Sequence, residues 1–137
     1  MKIHQRWTRR IGILIAGLSL AAIGTSATWA VDRALRRPGV IMGHVTEGPI
    51  TPVCRPSIPC TRPFSNATIQ VLDGATRNPV GTAVTNRFGN FRVAVLPGRY
   101  LVHVQVVGLF PRCPEVEAVV RQRHVTRVKV ACDTGIR

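Results

Sequence analysis

The sequence predicts an all-β fold, a seven-stranded Greek-key β-sandwich that follows an N-terminal signal helix. Three observations carry this expectation. Hydrophobic alternation with a period of two recurs along the chain after residue 38, no stretch there keeps a helical period over about ten residues, and turn chemistry separates the alternating runs. With no helix to cover a sheet face, half-buried strands of this kind must pack as two sheets against each other.

The strands follow in order. Gly39–Thr46 places Ile41 and Val45 on one face, and Ala67–Leu72 sets Ala67, Ile69 and Val71 against Thr68 and Gln70. Val80–Thr85 is the third strand. Phe91, Val93 and Val95 alternate with Arg92 and Ala94, and Tyr100, Val102 and Val104 with Leu101, His103 and Gln105. Val116, Ala118 and Val120 alternate with Glu117, Val119 and Arg121, and Thr126, Val128 and Val130 with Arg127 and Lys129. Turns fall at Asp73-Gly74, Phe88-Gly89-Asn90, Pro97-Gly98 and Arg121–Arg123. The connection Glu47–Asn66 carries Pro49, Pro52, Pro56, Pro59 and Pro63. Proline donates nothing to a ladder, so this stretch is expected to be an ordered excursion and not a central strand.

Residues 1–30 have the layout of a secretory signal peptide: Lys2, Arg6, Arg9 and Arg10, then the apolar run Ile11–Ile23, then small residues. Thr25-Ser26-Ala27 and Thr28-Trp29-Ala30 are the cleavage-site candidates. The apolar run falls short of the roughly 20 residues of a membrane-spanning helix, so membrane attachment would require an uncleaved signal. Thr8-Arg9-Arg10 has part of a twin-arginine signal, but Gly12 stands where that signal wants a bulky apolar residue. Residues 31–37 read as a charged linker and residues 38–137 as one domain, secreted or held in the periplasm or cell envelope.

Cys54, Cys60, Cys113 and Cys132 all lie in that domain. An even count in an exported chain implies two disulfides, with three connectivities open. The short Pro-rich loop favours Cys54–Cys60, which leaves Cys113–Cys132. The spacings contain no C-x-x-C pair and no histidine adjoins a cysteine, so neither a metal site nor a cofactor is expected.

The stretch Thr85-Asn86-Arg87-Phe88-Gly89-Asn90-Phe91, with Leu96-Pro97-Gly98-Arg99-Tyr100-Leu101-Val102, resembles the T-D-x-x-G-x-F … L-P-P-G-x-Y hairpin of carboxypeptidase regulatory-like domains. These are also called transthyretin-like or prealbumin-like domains, and their sandwich is Ig-like. Gly39–Val45 and Ala67–Val71 are similar to that family's first two strands, so the resemblance covers about residues 38–131. Asn86 stands where the family usually has Asp, and the Pro-Gly pair lacks one proline. The resemblance implies a non-catalytic module, since in metallocarboxypeptidases such a domain carries none of the zinc ligands. It also implies a corner role for Tyr100, with its ring buried and its hydroxyl bonded to nearby backbone.

Two relatives of this fold do chemistry, and the sequence argues against both here. The 5-hydroxyisourate hydrolases end in Tyr-Arg-Gly-Ser, whereas this chain ends Asp133-Thr134-Gly135-Ile136-Arg137. His44 and Arg92 could be imagined into its site, and an enzyme reading would need a pocket that brings His44, His103 and an arginine together. Pilin-type relatives crosslink a first-strand lysine to a last-strand asparagine, but here the first strand has no lysine and Lys129 lies on the last. Glu115 and Glu117, at i and i+2, are expected at a solvated edge.

Of the 19 Lys and Arg only four leave with the signal, against 6 Asp and Glu, so the domain is strongly basic and favours anionic partners. Aromatic residues do not interleave with the basic ones, which removes the stacking platform that single-stranded nucleic acid needs. Arg92, His103, Arg121, Arg127 and Lys129 project opposite their apolar neighbours and form the candidate anion-binding surface. The expected function is an exported, non-catalytic binding or structural module whose partner is an anionic envelope polysaccharide. The alternative is an accessory or inhibitory subunit of a separately encoded secreted hydrolase.

Overall fold

The computed structural model of the protein describes residues 36–137. The signal peptide at 1–30 and most of the linker at 31–37 lie outside the described residues. The strands are β1 Gly39–Gly48, β2 Arg62–Pro63, β3 Thr68–Asp73, β4 Pro79–Val84, β5 Asn90–Val95, β6 Gly98–Gln105, β7 Val116–Val120 and β8 Val125–Asp133. They form two four-stranded sheets and no helix occurs among the described residues.

In the first sheet β1 is central. One of its edges pairs β8 in parallel from Val40↔Val125 to Gly48↔Asp133. The other edge pairs β5 antiparallel over Gly39–His44 and then the short β2 at Thr46↔Pro63 and Glu47↔Arg62. The second sheet runs β4-β3-β6-β7 and is antiparallel throughout. The chain crosses from one sheet to the other after β2, β4, β5 and β7, which makes the sandwich.

The strand count is eight where seven were expected. The added strand is β2, two exposed residues inside the Pro-rich excursion. Pro63 is tolerated there because a two-residue flap at an edge needs no N–H donor from it. The last strand also runs on to Asp133, because Cys132 continues the inward series of Val128 and Val130.

The alternation predicted from sequence is the one observed. Ile41, Val45, Ile69, Val71, Val102 and Val130 are almost wholly buried between the sheets. Gly43 occupies an inward position of β1, where a Cβ would lie 2.1 Å from the Phe91 ring. Its missing side chain is what lets that ring fill the core. Tyr100 is buried, and its hydroxyl donates to the carbonyl of Leu96, the corner role implied by the resemblance.

Among the described residues Thr85 is the one buried polar residue of the core. Its hydroxyl donates to Phe64 O at 2.6 Å and accepts from Ala67 N at 2.8 Å, so it costs no unpaired group. In the following turn Asn86 Oδ1 accepts from the backbone N–H of Phe88 and Asn90, at 2.9 and 3.0 Å. Asn therefore does the capping that the family assigns to Asp. Gly89 takes φ +74°, and a Cβ there would meet Val45 O at 2.3 Å, so both the backbone and the space require glycine.

The pairings place the turns at two ends. The β3–β4, β5–β6 and β7–β8 connections share one end. The β1–β3 excursion, the β4–β5 turn, the β6–β7 loop and the residues after β8 share the other. Both disulfides, Cys54–Cys60 and Cys113–Cys132, are formed at this second end.

Candidate functional site

The five residues singled out from sequence do not share one surface. Arg92 lies on β5, Arg127 and Lys129 on β8, all on the outer face of the first sheet. His103 lies on β6, on the outer face of the second. Arg121 follows β7 in the turn at the opposite end, where its carbonyl accepts from His124 N. Alternation had shown that each points outward, but not onto which sheet.

The first-sheet residues line up because of register. Met42 of β1 pairs Arg92 on one side and Arg127 on the other, and His44 pairs Asn90 and Lys129 in the same way. Two cross-strand rows result, Arg92–Met42–Arg127 and Asn90–His44–Lys129, each about 10 Å wide at the usual strand spacing. His44 Nδ1 lies 2.8 Å from Asn90 Oδ1, which fixes the imidazole over the sheet. Between the rows is a shallow cleft of about 230 Å³, lined by Met42, His44, Asn90, Arg127 and Lys129.

No ion pair among the described residues involves Arg92, Arg127 or Lys129. The carboxylate that shares the outward parity of β8, Asp133, sits at the strand's far end and is taken by Arg137 at 2.9 Å. The field of the face is therefore uncompensated and positive. Sequence reasoning missed His44 and Asn90 as members, because their neighbours come from β5 and β8.

On the second sheet the charges are compensated by partners. Arg77 forks onto Glu115, with Nη1 at 3.1 Å from Oε2 and Nη2 at 2.6 Å from Oε1, and His103 Nδ1 faces Glu115 Oε1 at 3.3 Å. The Arg77 hydrogen bonds hold the Glu115 carboxyl below its ordinary range. Glu115 is thus held by the Arg77 guanidinium, with the His103 ring beside it, and is not the merely solvated carboxylate expected from sequence. A larger cleft of about 440 Å³ lies between Asp73, Gly74, Arg99, Tyr100 and Glu117, and its two carboxylates make it unsuited to an anion.

His44 and His103 lie on the outer faces of different sheets, so no pocket brings them together with an arginine. Cys54, Cys60, Cys113 and Cys132 are all consumed in disulfides.

The tail is a clasp. Arg112 and Asp133 exchange both backbone hydrogen bonds at 2.7 Å, and Thr134 N donates to Gly48 O at 2.9 Å. The Arg137 guanidinium and the N–H of Gly135 both bond the Asp133 carboxylate, and they lower its pKa from 3.8 to about 2.

Fold and face together define a β-sandwich module with one cationic outer face. No protein-family model and no curated protein matches the chain. Solved structures do match. GBS52, the minor pilin of Streptococcus agalactiae, aligns with a TM-score of 0.56 at 9% identity, over 72% of this chain and 45% of that one. The D295N form of the shaft pilin SpaA from Lactobacillus rhamnosus GG aligns at 0.50 and 10%, over 71% and 50%. A proposed carbohydrate binding protein from Pseudomonas aeruginosa aligns at 0.50 and 11%, over 74% of this chain and 95% of that one. The chain spans about half the length of the two pilins. At these identities the likeness establishes the fold, a β-sandwich of the kind seen in pilin domains.

Proposed function

We propose that the chain is an exported, non-catalytic carboxypeptidase regulatory-like module that binds an anionic polysaccharide of the cell envelope. The observation that carries this reading is the pair of cross-strand rows on the first sheet, with Arg92, Arg127 and Lys129 unpaired beside His44. A flat face with cations roughly 7–10 Å apart, at strand and two-residue spacings, suits a polymer with repeating carboxylates or sulfates. It suits a single small ligand less well, because the cleft is shallow. Two disulfides fit an oxidising compartment outside the cytoplasm. The proposed carbohydrate binding protein of Pseudomonas, which shares the fold, fits a reading as a binding module.

The test is chromatography of the exported protein on an immobilised acidic polysaccharide. Retention should fall steeply with salt, because exposed charges are screened within about 8 Å at physiological ionic strength. Arg127→Glu with Lys129→Glu should elute at markedly lower salt, with affinity down roughly tenfold or more. Arg99→Glu, on the other sheet, should change little. Retention unaffected by the double reversal would defeat the reading. A salt-resistant stoichiometric complex with a secreted hydrolase, with no polysaccharide retention, would favour the accessory-subunit alternative.

A further inference from the structure

The large exposed apolar side chains are distributed unevenly. Val53 and Ile58 on the β1–β3 excursion, Phe88 on the β4–β5 turn, and Val107, Leu109 and Phe110 on the β6–β7 loop all belong to the disulfide-bearing end. Val107 is 101% exposed, Leu109 79% and Val53 69%, values that place them at the loop tips. The opposite end shows Leu96 on the β5–β6 connection and Val80, Val119 and Val125 at strand ends, each between 41% and 51% exposed and none on a protruding loop. Scattered exposed apolar residues need no explanation, but such a gathering on one end of a small domain marks a contact surface.

The same end is cationic. Arg87 lies over the Phe88 ring at 4.7 Å and Arg112 over the Phe110 ring at 5.0 Å. Arg55 stands between Val53 and Ile58 along the other loop. None of these three arginines makes an ion pair among the described residues. The nearby carboxylates are already neutralised, Glu47 by Arg62 at 2.6 Å and Asp133 by Arg137.

We propose that this end docks on an anionic lipid surface, its apolar loop tips entering the interface and Arg55, Arg87 and Arg112 meeting headgroup phosphates. The combination is that of interfacial membrane binding, where buried apolar area and attraction to anionic lipid add. Arginine beside an aromatic ring can keep its stem in apolar surroundings and its head at the phosphates. A lipid interface is favoured over a protein groove because the apolar groups stand on tips of three separate loops. A fluid surface accepts separate convex tips, whereas a protein partner would need a matching concavity for each. The disulfides hold two of the three loops in shape beforehand, so little ordering is lost on docking. The cationic face of the first sheet runs along the side of the sandwich and stays open when the end is docked.

The test uses the exported form of the chain and vesicles of phosphatidylcholine mixed with phosphatidylglycerol, against phosphatidylcholine alone. The protein should sediment with the mixed vesicles and much less with the neutral ones. Val107→Glu with Leu109→Glu, both in solvent, should keep the wild-type melting temperature and its retention on acidic polysaccharide. That variant should lose vesicle binding by roughly tenfold or more. Leu109→Trp should add blue-shifted fluorescence on the mixed vesicles, and Val125→Trp at the other end should not. The proposal is overturned if the wild type ignores mixed vesicles, if the double variant binds them equally, or if both tryptophans shift alike. It is equally overturned if Leu109 serves a stoichiometric protein complex and no vesicle binding occurs.

Discussion

At one end of the sandwich the chain reverses in tight turns, whereas at the other it leaves the sheets for long excursions held by two disulfides. The tight end is specified by local chemistry. Asp73 Oδ1 accepts from the N–H of Ala75 and Thr76, Arg77 and Arg123 take positive φ, and the Tyr100 hydroxyl closes the β5–β6 corner on Leu96. The open end keeps one turn of this kind, β4–β5, capped by Asn86 and turned at Gly89, while its longer loops are held by covalent and long-range ties. Cys54–Cys60 closes the Pro-rich excursion, while Cys113–Cys132 fastens the β6–β7 loop to β8. The comparison teaches that a small basic domain can display apolar loops when staples, rather than burial, keep them ordered.

The largest expected effect is at the open end. Replacing Cys113 and Cys132 together by Ser should cost about 3 kcal/mol in denaturant unfolding, from the loop-closure entropy of a 19-residue separation. Cys132 is also a buried core residue, so the loss should not stay local. The same change at Cys54 and Cys60, separated by 6 residues, should cost about 2 kcal/mol or less. Its mark should be faster amide exchange confined to the β1–β3 excursion. Equal costs for the two pairs would remove the distinction between a core staple and a loop staple.

At the tight end, Tyr100→Phe should cost about 1 kcal/mol, the net worth of one hydrogen bond, and should be insensitive to reductant. A wild-type-like melting curve would show that the corner is held by packing of the ring alone. The smallest effect concerns the tail. The folded Asp133 carboxyl lies below its ordinary value, so its contribution is present above 3.8 and is lost as pH falls towards about 2. Acid titration followed by NMR should show Thr134–Arg137 shifts moving in that window, and Asp133→Asn should abolish the pH dependence.

Much of the fold was legible in the sequence because its signals are local. Period-two alternation marked the core face of β1, β3, β5 and β6, and Asn86, Gly89 and Tyr100 announced turns whose hydrogen bonds are now seen. The exception, β2, has too few residues to alternate and contains Pro63. The candidate site was legible only in part. Outward parity of Arg92, Arg127 and Lys129 could be read, but His103 and Arg121 carried the same signal and lie elsewhere. His44 and Asn90 gave no local sign of joining, since their rows depend on the parallel β1–β8 pairing of chain segments far apart in sequence.

The sequence by itself determined which residues face the core, where the chain turns, and that the four cysteines would pair. Those properties follow from steric periods and residue chemistry within a few positions. The tertiary structure decided which sheet each strand joins, and therefore that three cations share one face while His103 lies beside Glu115 on the other. It also decided that the apolar loop tips gather at a single end, because strand direction and sheet pairing assign every loop to one end or the other.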